Sequence, residues 1–223
     1  MFWLYFFLFC ILGIILSITR KYDLITVSIT FIICAIFLNF GNIESFIYIL
    51  IFFCVAEGVT LILNKKHKKR SYKNLLGNCL AGCIFMLFGQ VIPAIVSICA
   101  AFSDTLSSEI GRLSITKPRL ITTFKEVKTG TDGGITILGL TAAAIIGATT
   151  IVYFMVVPKI FNSSFIYTTQ IVLMIGIIGF LGTIIDSFIG ATLERKGYSN
   201  NYQTNFLASF ISGTIAFILI NFI

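Results

Sequence analysis

Long apolar runs, separated by short polar links, fill this chain from end to end. A helix needs roughly 17–25 mostly apolar residues to cross a bilayer. Eight such runs can be read, at about 2–19, 24–40, 43–63, 74–89, 91–111, 134–157, 165–189 and 205–223. In lipid, every backbone N–H and C=O must be satisfied within its own segment, so runs of this length fold as helices. The expected fold is all-α, a polytopic transmembrane bundle of about eight spans forming one transmembrane domain over residues 1–223. Charged residues make up 11% of the chain, less than half the roughly 25% usual in soluble domains. The first run is not read as a cleaved signal peptide, because it lacks a basic start and no small-residue cleavage site follows it.

Orientation follows from the distribution of Lys and Arg, which favour cytoplasmic loops. With the basic loop 64–73, inside "NKKHKKRSYKN", in the cytoplasm, the loop at 112–134 returns to the same side. Arg20, Lys21, Arg195 and Lys196 also fall inside, and only Lys159 of the sixteen basic residues falls outside. This places both termini outside and predicts a multi-pass protein of the cell membrane. The net charge of +7 is then a topology signal, and no nucleic-acid partner is expected. The six cysteines lie within apolar runs without a CxxC pair and read as small buried hydrophobes. His67, alone among lysines, is not expected to bind metal.

Polar residues gather at the cytoplasmic ends of the spans. In "SDTLSSEIG", Asp104 and Ser108 share a helix face, whereas Glu109 lies about 140° around from Asp104. Charge this deep in a span is costly and marks a functional position by default. Glu109 has two outlets, a role at the site or an ion pair with Arg112. The loop "TKPRLITTFKEVKTGTDGGITILG" carries Arg119, Lys125 and Lys128, then Gly130, Thr131, Gly133 and Gly134 just before the next span. Glycines let successive amides turn towards one anion, and a helix N-terminus adds partial positive charge, so phosphate is the expected ligand. In "GTIIDSFIGAT", Asp186 stands at least one turn inside its span. Paired aspartates such as Asp104 and Asp186 suit Mg²⁺, which takes one or two carboxylates plus substrate phosphates. Asn78 shares a face with Asn74 and Gly82, available to a head group or to interhelical hydrogen bonding.

"SDTLSSEIG", "KPRLITTFKEVKTGTDGGITILG" and "DSFIGAT" together resemble the integral-membrane family that contains plastid phytyl-phosphate kinase. That family looks related to the wider group of CTP-using membrane enzymes, including phytol kinase, dolichol kinase and CDP-diacylglycerol synthase. "KNLLGNCLAG" and "NNYQTNFLAS" resemble two further family segments, which adds Asn205 to Asn78 and Ser108 as expected substrate-binding residues. Asp132 departs from the family pattern, which has a neutral small polar residue there, and the link between Gly197 and Asn205 is shorter than the family's last loop.

The resemblance implies a kinase moving a phosphoryl group from a nucleoside triphosphate, CTP or another, to an isoprenoid monophosphate such as phytyl or geranylgeranyl phosphate. The residues suit this, because phosphoryl transfer is catalysed mainly by positioning and charge neutralisation. Arg119, Lys125, Lys128 and the Gly130–Gly134 amides would hold the triphosphate. Asp104 and Asp186 would hold Mg²⁺, with Glu109 as a further metal-binding or catalytic residue. The aromatic-rich spans would take the prenyl tail among the membrane lipids. Two other classes stay open: another lipid phosphotransferase or cytidylyltransferase, and a secondary transporter with intramembrane carboxylates. The sequence also leaves the oligomeric state open, a homo-oligomer included. The expected topology can be checked by thiol labelling. In a cysteine-free background, Lys128→Cys should react with a membrane-impermeant reagent only after the cytoplasmic side is opened, and efficient labelling of intact cells would reverse the topology.

Overall fold

The computed structural model of the protein describes residues 23–63 and 72–222. The expected first span at 2–19 and all but the end of the basic loop at 64–73 lie outside the described residues. Seven helices follow one another: α1 (Leu24–Phe40), α2 (Ile43–Leu63), α3 (Tyr72–Leu87), α4 (Val91–Gly111), α5 (Ile137–Ile160), α6 (Thr169–Ile189) and α7 (Asn201–Leu219). Several of their starts carry side-chain caps, each worth about 1 kcal/mol. Asp23 accepts from the Thr26 amide, Thr136 from Gly139 and Thr168 from Ile171. Asn200 and Gln203 form a reciprocal box, so α7 begins four residues before the expected boundary at 205.

α2, α4, α5, α6 with its extension to Glu194, and α7 to Phe222 are long and apolar enough to cross a membrane. α1 and α3 have 17 and 16 residues, about 24–26 Å at 1.5 Å per residue against a hydrocarbon core of about 30 Å. The chain is an integral membrane protein with an all-α fold. Large apolar side chains such as Ile62, Val152, Ile177 and Phe217 are exposed around the outside of the bundle, as a lipid-facing surface requires. The five described cysteines form no disulfide with one another.

α4 is the buried axis. It packs against α2, α3, α5, α6 and α7, and Ala94, Ser97, Ala100, Ala101 and Ser103 on it are almost wholly buried. Such small residues let membrane helices approach closely. The matching surface is on α6, where Gly176, Gly179 and Gly182 recur every three residues. A Cβ at Gly179 would run into the Cys99 side chain, and one at Gly182 into Ala100 and, at 3.0 Å, Ser212 Oγ. At Gly176 it would meet Ile151 and the Gly147 carbonyl of α5. The seam fixes a parallel register of α4 and α6, with Cys99 against Gly179 and Ala100 against Gly182.

Between α4 and α5 the chain folds into a small β-hairpin. β1 (Arg119–Leu120) pairs antiparallel with β2 (Gly134–Ile135), and Arg119 also bridges to Glu126 on the other side. Leu120 donates to the Lys125 carbonyl, Val127 to Pro118 and Ile121 to Gly133. The loop expected from its glycines and charges is therefore a hydrogen-bonded unit.

The glycine seam gives a direct test of the packing. Gly182→Ala should cost about 1–3 kcal/mol, as overpacking of a tight interior does. Gly58→Ala, whose Cβ would meet nothing within 4 Å, should be neutral or slightly stabilising in the same thermal-unfolding assay.

Candidate functional site

The register of α4 and α6 carries on past the glycines to two carboxylates. One turn beyond Ala100 is Asp104, and one turn beyond Gly182 is Asp186. Both line a narrow crevice with Asn78 of α3 and Asn205 and Ser209 of α7. Four residues expected at the site, Asn78, Asp104, Asp186 and Asn205, thus converge from four parts of the sequence.

Hydrogen bonds join these residues across the helices. Amide nitrogen and oxygen are assigned from their surroundings. The assignment that avoids facing two acceptors has Asn205 Nδ2 donating to Asp186 Oδ2 at 3.2 Å and to the Asn201 carbonyl at 2.9 Å. The side-chain amides of Asn205 and Asn78 meet at 2.8 Å, and Asn78 reaches Thr105 Oγ1 at 3.3 Å. Thr105 in turn donates to the Ala101 carbonyl at 2.7 Å. The polar row runs from α6 through α7 and α3 to α4, so each asparagine has partners besides any ligand. Near the start of α7, Lys73 Nζ lies 5.7 Å from the Tyr202 ring centroid, tying the start of α3 to α7.

Beyond Asp186 the helix widens. Residues Gly190–Glu194 form a π turn, closed by the Arg195 amide donating to the Gly190 carbonyl at 3.1 Å. In a regular α-helix, position 194 would stand about 80° around from position 186. The wider turn lowers the rotation per residue, and such turns occur frequently at functional sites. Glu194 lies close enough for its charge to act on both Asp104 and Asp186, and Asp132 of the hairpin acts on Asp186 as well. The Thr204 hydroxyl lies near Glu194 and 3.1 Å from Ser199 Oγ. Sequence reasoning missed Glu194, because α-helical spacing from Asp186 does not place it on the same face.

The hairpin sits directly on this turn. Gly133 has φ +74°, and a Cβ there would collide with Ala191, while a Cβ at Gly190 would come within 2.9 Å of the Gly133 nitrogen. Gly111 and Gly139 make the same close approach behind the hairpin, against Thr136 Oγ1 and the Ser107 carbonyl. Gly130 differs, with φ +86° and open space around it. Within the glycine turn, the Thr131 amide donates to Lys128 and the Gly134 amide to Thr131. Among the described residues no hydrogen bond takes up the amides of Gly130, Asp132 or Gly133. The expected cradle of five amides is therefore one of three.

Other expected site residues stand apart from the crevice. Arg119, Lys125 and Lys128 are exposed on the hairpin, at the same end of the bundle. Glu109 Oε1 is 3.9 Å from Arg112 Nη1, within ion-pair reach at the end of α4. Ser108 is exposed and donates to the Thr105 carbonyl at 3.0 Å.

The comparisons with known proteins agree with this architecture. The family described as "integral membrane protein DUF92" matches residues 7–213. The chain belongs to that family. It is 38% identical to an uncharacterized membrane protein of Methanocaldococcus jannaschii, over 94% of this chain and 90% of that one. It is 41% identical to Protein PGR of Arabidopsis thaliana over 43% of this chain and 34% of the relative. Similarity to the chloroplastic Protein VTE6 of Arabidopsis thaliana is 34%, over 39% of this chain and 29% of the relative. The chain thus spans about a third of the length of the two plant proteins. No solved structure matches.

The contact of Gly133 with the π turn predicts a local effect. Gly133→Ala should unseat the hairpin and speed tryptic cleavage at Lys125 and Lys128 severalfold, with little change in the melting of the helices. Gly130→Ala, free of that collision, should leave cleavage much closer to wild type.

Proposed function

We propose that this protein is a membrane phosphotransferase that moves a phosphoryl group from a nucleoside triphosphate to an isoprenoid monophosphate, giving the diphosphate. One observation carries the reading: Asp104 and Asp186, 82 positions apart in sequence, line one crevice beside a glycine-rich hairpin with uncommitted amides. The resemblance of the three motifs to the phytyl-phosphate kinase family supplies the substrate class. Partial similarity to a chloroplast protein is compatible with it.

The oxygen-only donors of the crevice fit a hard divalent cation. Among the described residues, no three Asp, Glu, His or Cys side chains form a complete ligand set. That suits Mg²⁺, which takes one or two carboxylates and completes its shell with water and substrate phosphates. Asp104 and Asp186 would hold it, with Glu194 beside them. When bound, Mg²⁺ would neutralise phosphate charge, which this reaction needs most. It would also relieve the repulsion of two carboxylates in a poorly solvated crevice.

The protein's own groups do the rest. Amides of Gly130, Asp132 and Gly133 would cradle the triphosphate, and Arg119, Lys125 and Lys128 would draw it to the membrane surface. Asn205 holds Asp186 in orientation, and Asn78 holds Asn205. The acceptor is already an anionic phosphate, so no strong general base is needed. Its hydrophobic tail would lie against the apolar surface of the bundle, with the head group at the crevice mouth. A cytidylyltransferase would use the same site but release pyrophosphate.

Purified protein in detergent, given Mg²⁺, each nucleotide in turn and prenyl phosphates of several lengths, should yield a prenyl diphosphate detected by mass spectrometry. Pyrophosphate release with a nucleotidyl-lipid product would favour the cytidylyltransferase, and no product with any pair would reject both. Asp104→Asn and Asp186→Asn should each lower turnover roughly 10²–10³-fold, the scale for single groups that stabilise transition-state charge. The double variant should be little worse, as residues acting as one unit behave. Glu194→Gln should cost about 10–100-fold, the range of groups just outside a metal's own ligands.

A further inference from the structure

At the opposite end of the bundle, a second acidic residue stands in different surroundings. Glu44, in the first turn of α2, is wholly buried, and among the described residues neither carboxylate oxygen has a hydrogen-bond partner. Its position is well fixed. The Asn42 and Ser45 side chains cap the helix start reciprocally, with Ser45 N donating to Asn42 Oδ1 at 2.9 Å and Asn42 N to Ser45 Oγ at 3.1 Å. Tyr153 Oη donates to the Glu44 carbonyl at 2.7 Å, and Asn42 Nδ2 donates to Tyr167 Oη at 2.8 Å. The Glu44 charge reaches both tyrosine hydroxyls.

Aromatic rings close the space around these groups. Tyr48, one turn along α2 from Glu44, lies 5.3 Å from Tyr153 and 5.2 Å from Phe154 between centroids, and Phe154 is 5.2 Å from Tyr167. Phe154 and Tyr167 also form part of the wall of a cavity of about 510 Å³, lined besides by Pro158, Lys159, Asn162 and Ser163. Pro158 has no N–H, so it cannot donate to the Phe154 carbonyl four residues back, as a helix residue normally would.

We propose that Glu44 and the tyrosines around it form a binding site for a single alkali-metal cation, Na⁺ or K⁺, reached from this cavity. An unpaired buried carboxylate is costly, and one monovalent cation balances its charge. A divalent ion would leave a net positive charge in a low-dielectric interior, and Mg²⁺ would need room for the waters it retains. An organic ammonium is too large for a carboxylate enclosed to zero exposure. Neutral oxygens suit a hard cation, and tyrosine hydroxyls provide them here. The site is separate from the Asp104–Asp186 crevice and does not depend on the proposed kinase activity.

The test is direct binding of ²²Na⁺ to the whole purified protein in detergent, without nucleotide or Mg²⁺, competed with unlabelled Na⁺, K⁺ or choline. The expected result is saturable binding of one ion per chain, displaced by Na⁺ or K⁺ and not by choline. Glu44→Gln should weaken it at least tenfold and Tyr167→Phe severalfold, while Asp186→Asn leaves it unchanged. Tyr167→Phe keeps the carboxylate and covers the case in which Glu44→Gln fails to fold. Absence of saturable binding to folded wild-type protein would overturn the proposal. Binding that survives Glu44→Gln, or is lost in Asp186→Asn, would also overturn it by assigning the ion elsewhere.

Discussion

The close approach of α4 and α6 is the constraint on which the rest of the molecule depends. Membrane helices gain little from hydrophobic burial against one another, since lipid is as apolar as leucine. What joins them is van der Waals contact at short range, and Gly179 and Gly182 against Cys99 and Ala100 permit that range. With the parallel register fixed by this contact, Asp104 and Asp186 have to come out at the same level. Two carboxylates in different spans become neighbours because of glycines that themselves do no chemistry.

The glycines in and around the hairpin divide the same way. Gly133, Gly111 and Gly139 hold the hairpin on the helix ends through approaches that no Cβ would allow. Gly130 is the turn glycine with open space around it. A glycine-rich motif here thus packs the hairpin onto the helix ends while three of its amides have no hydrogen-bond partner among the described residues. The amides that could meet a phosphate are held still because their neighbours are wedged against α4 and the π turn.

Much of this was legible in the sequence, and the failures have physical causes. The apolar runs located every described helix, since run length is set by bilayer thickness. Asp104 and Asp186 could be picked out because charge inside an apolar span is expensive. The start of α7 was missed by four residues, although Asn200 and Gln203 carry a capping-box pattern, because the search followed hydropathy and the cap is polar. Glu194 was missed because helical spacing assumes 3.6 residues per turn. Glu109 matched the charge criterion as well as Asp104 did, but its place in the last turn of α4 lets it reach Arg112. Glu44 gave no warning, since an acidic residue in a helix's first turn is ordinary, and two of the tyrosines beside it, Tyr153 and Tyr167, come from more than a hundred positions away.

The π turn after α6 has a consequence for how this end of the protein can vary. Its i→i+5 bond from Arg195 to Gly190 encloses one residue more than an α-helical turn would, so it shifts the phase of the residues after it. Losing one residue between 190 and 194 would let the turn relax to an ordinary helix with Glu194 seven residues from Asp186, about 20° around from it, so the acid would keep its face. Straightening the turn at unchanged length would instead swing Glu194 about 80° away. Chain length and helix type are therefore coupled here, and a shortened chain and the π turn are two ways to hold the same acid beside the aspartates.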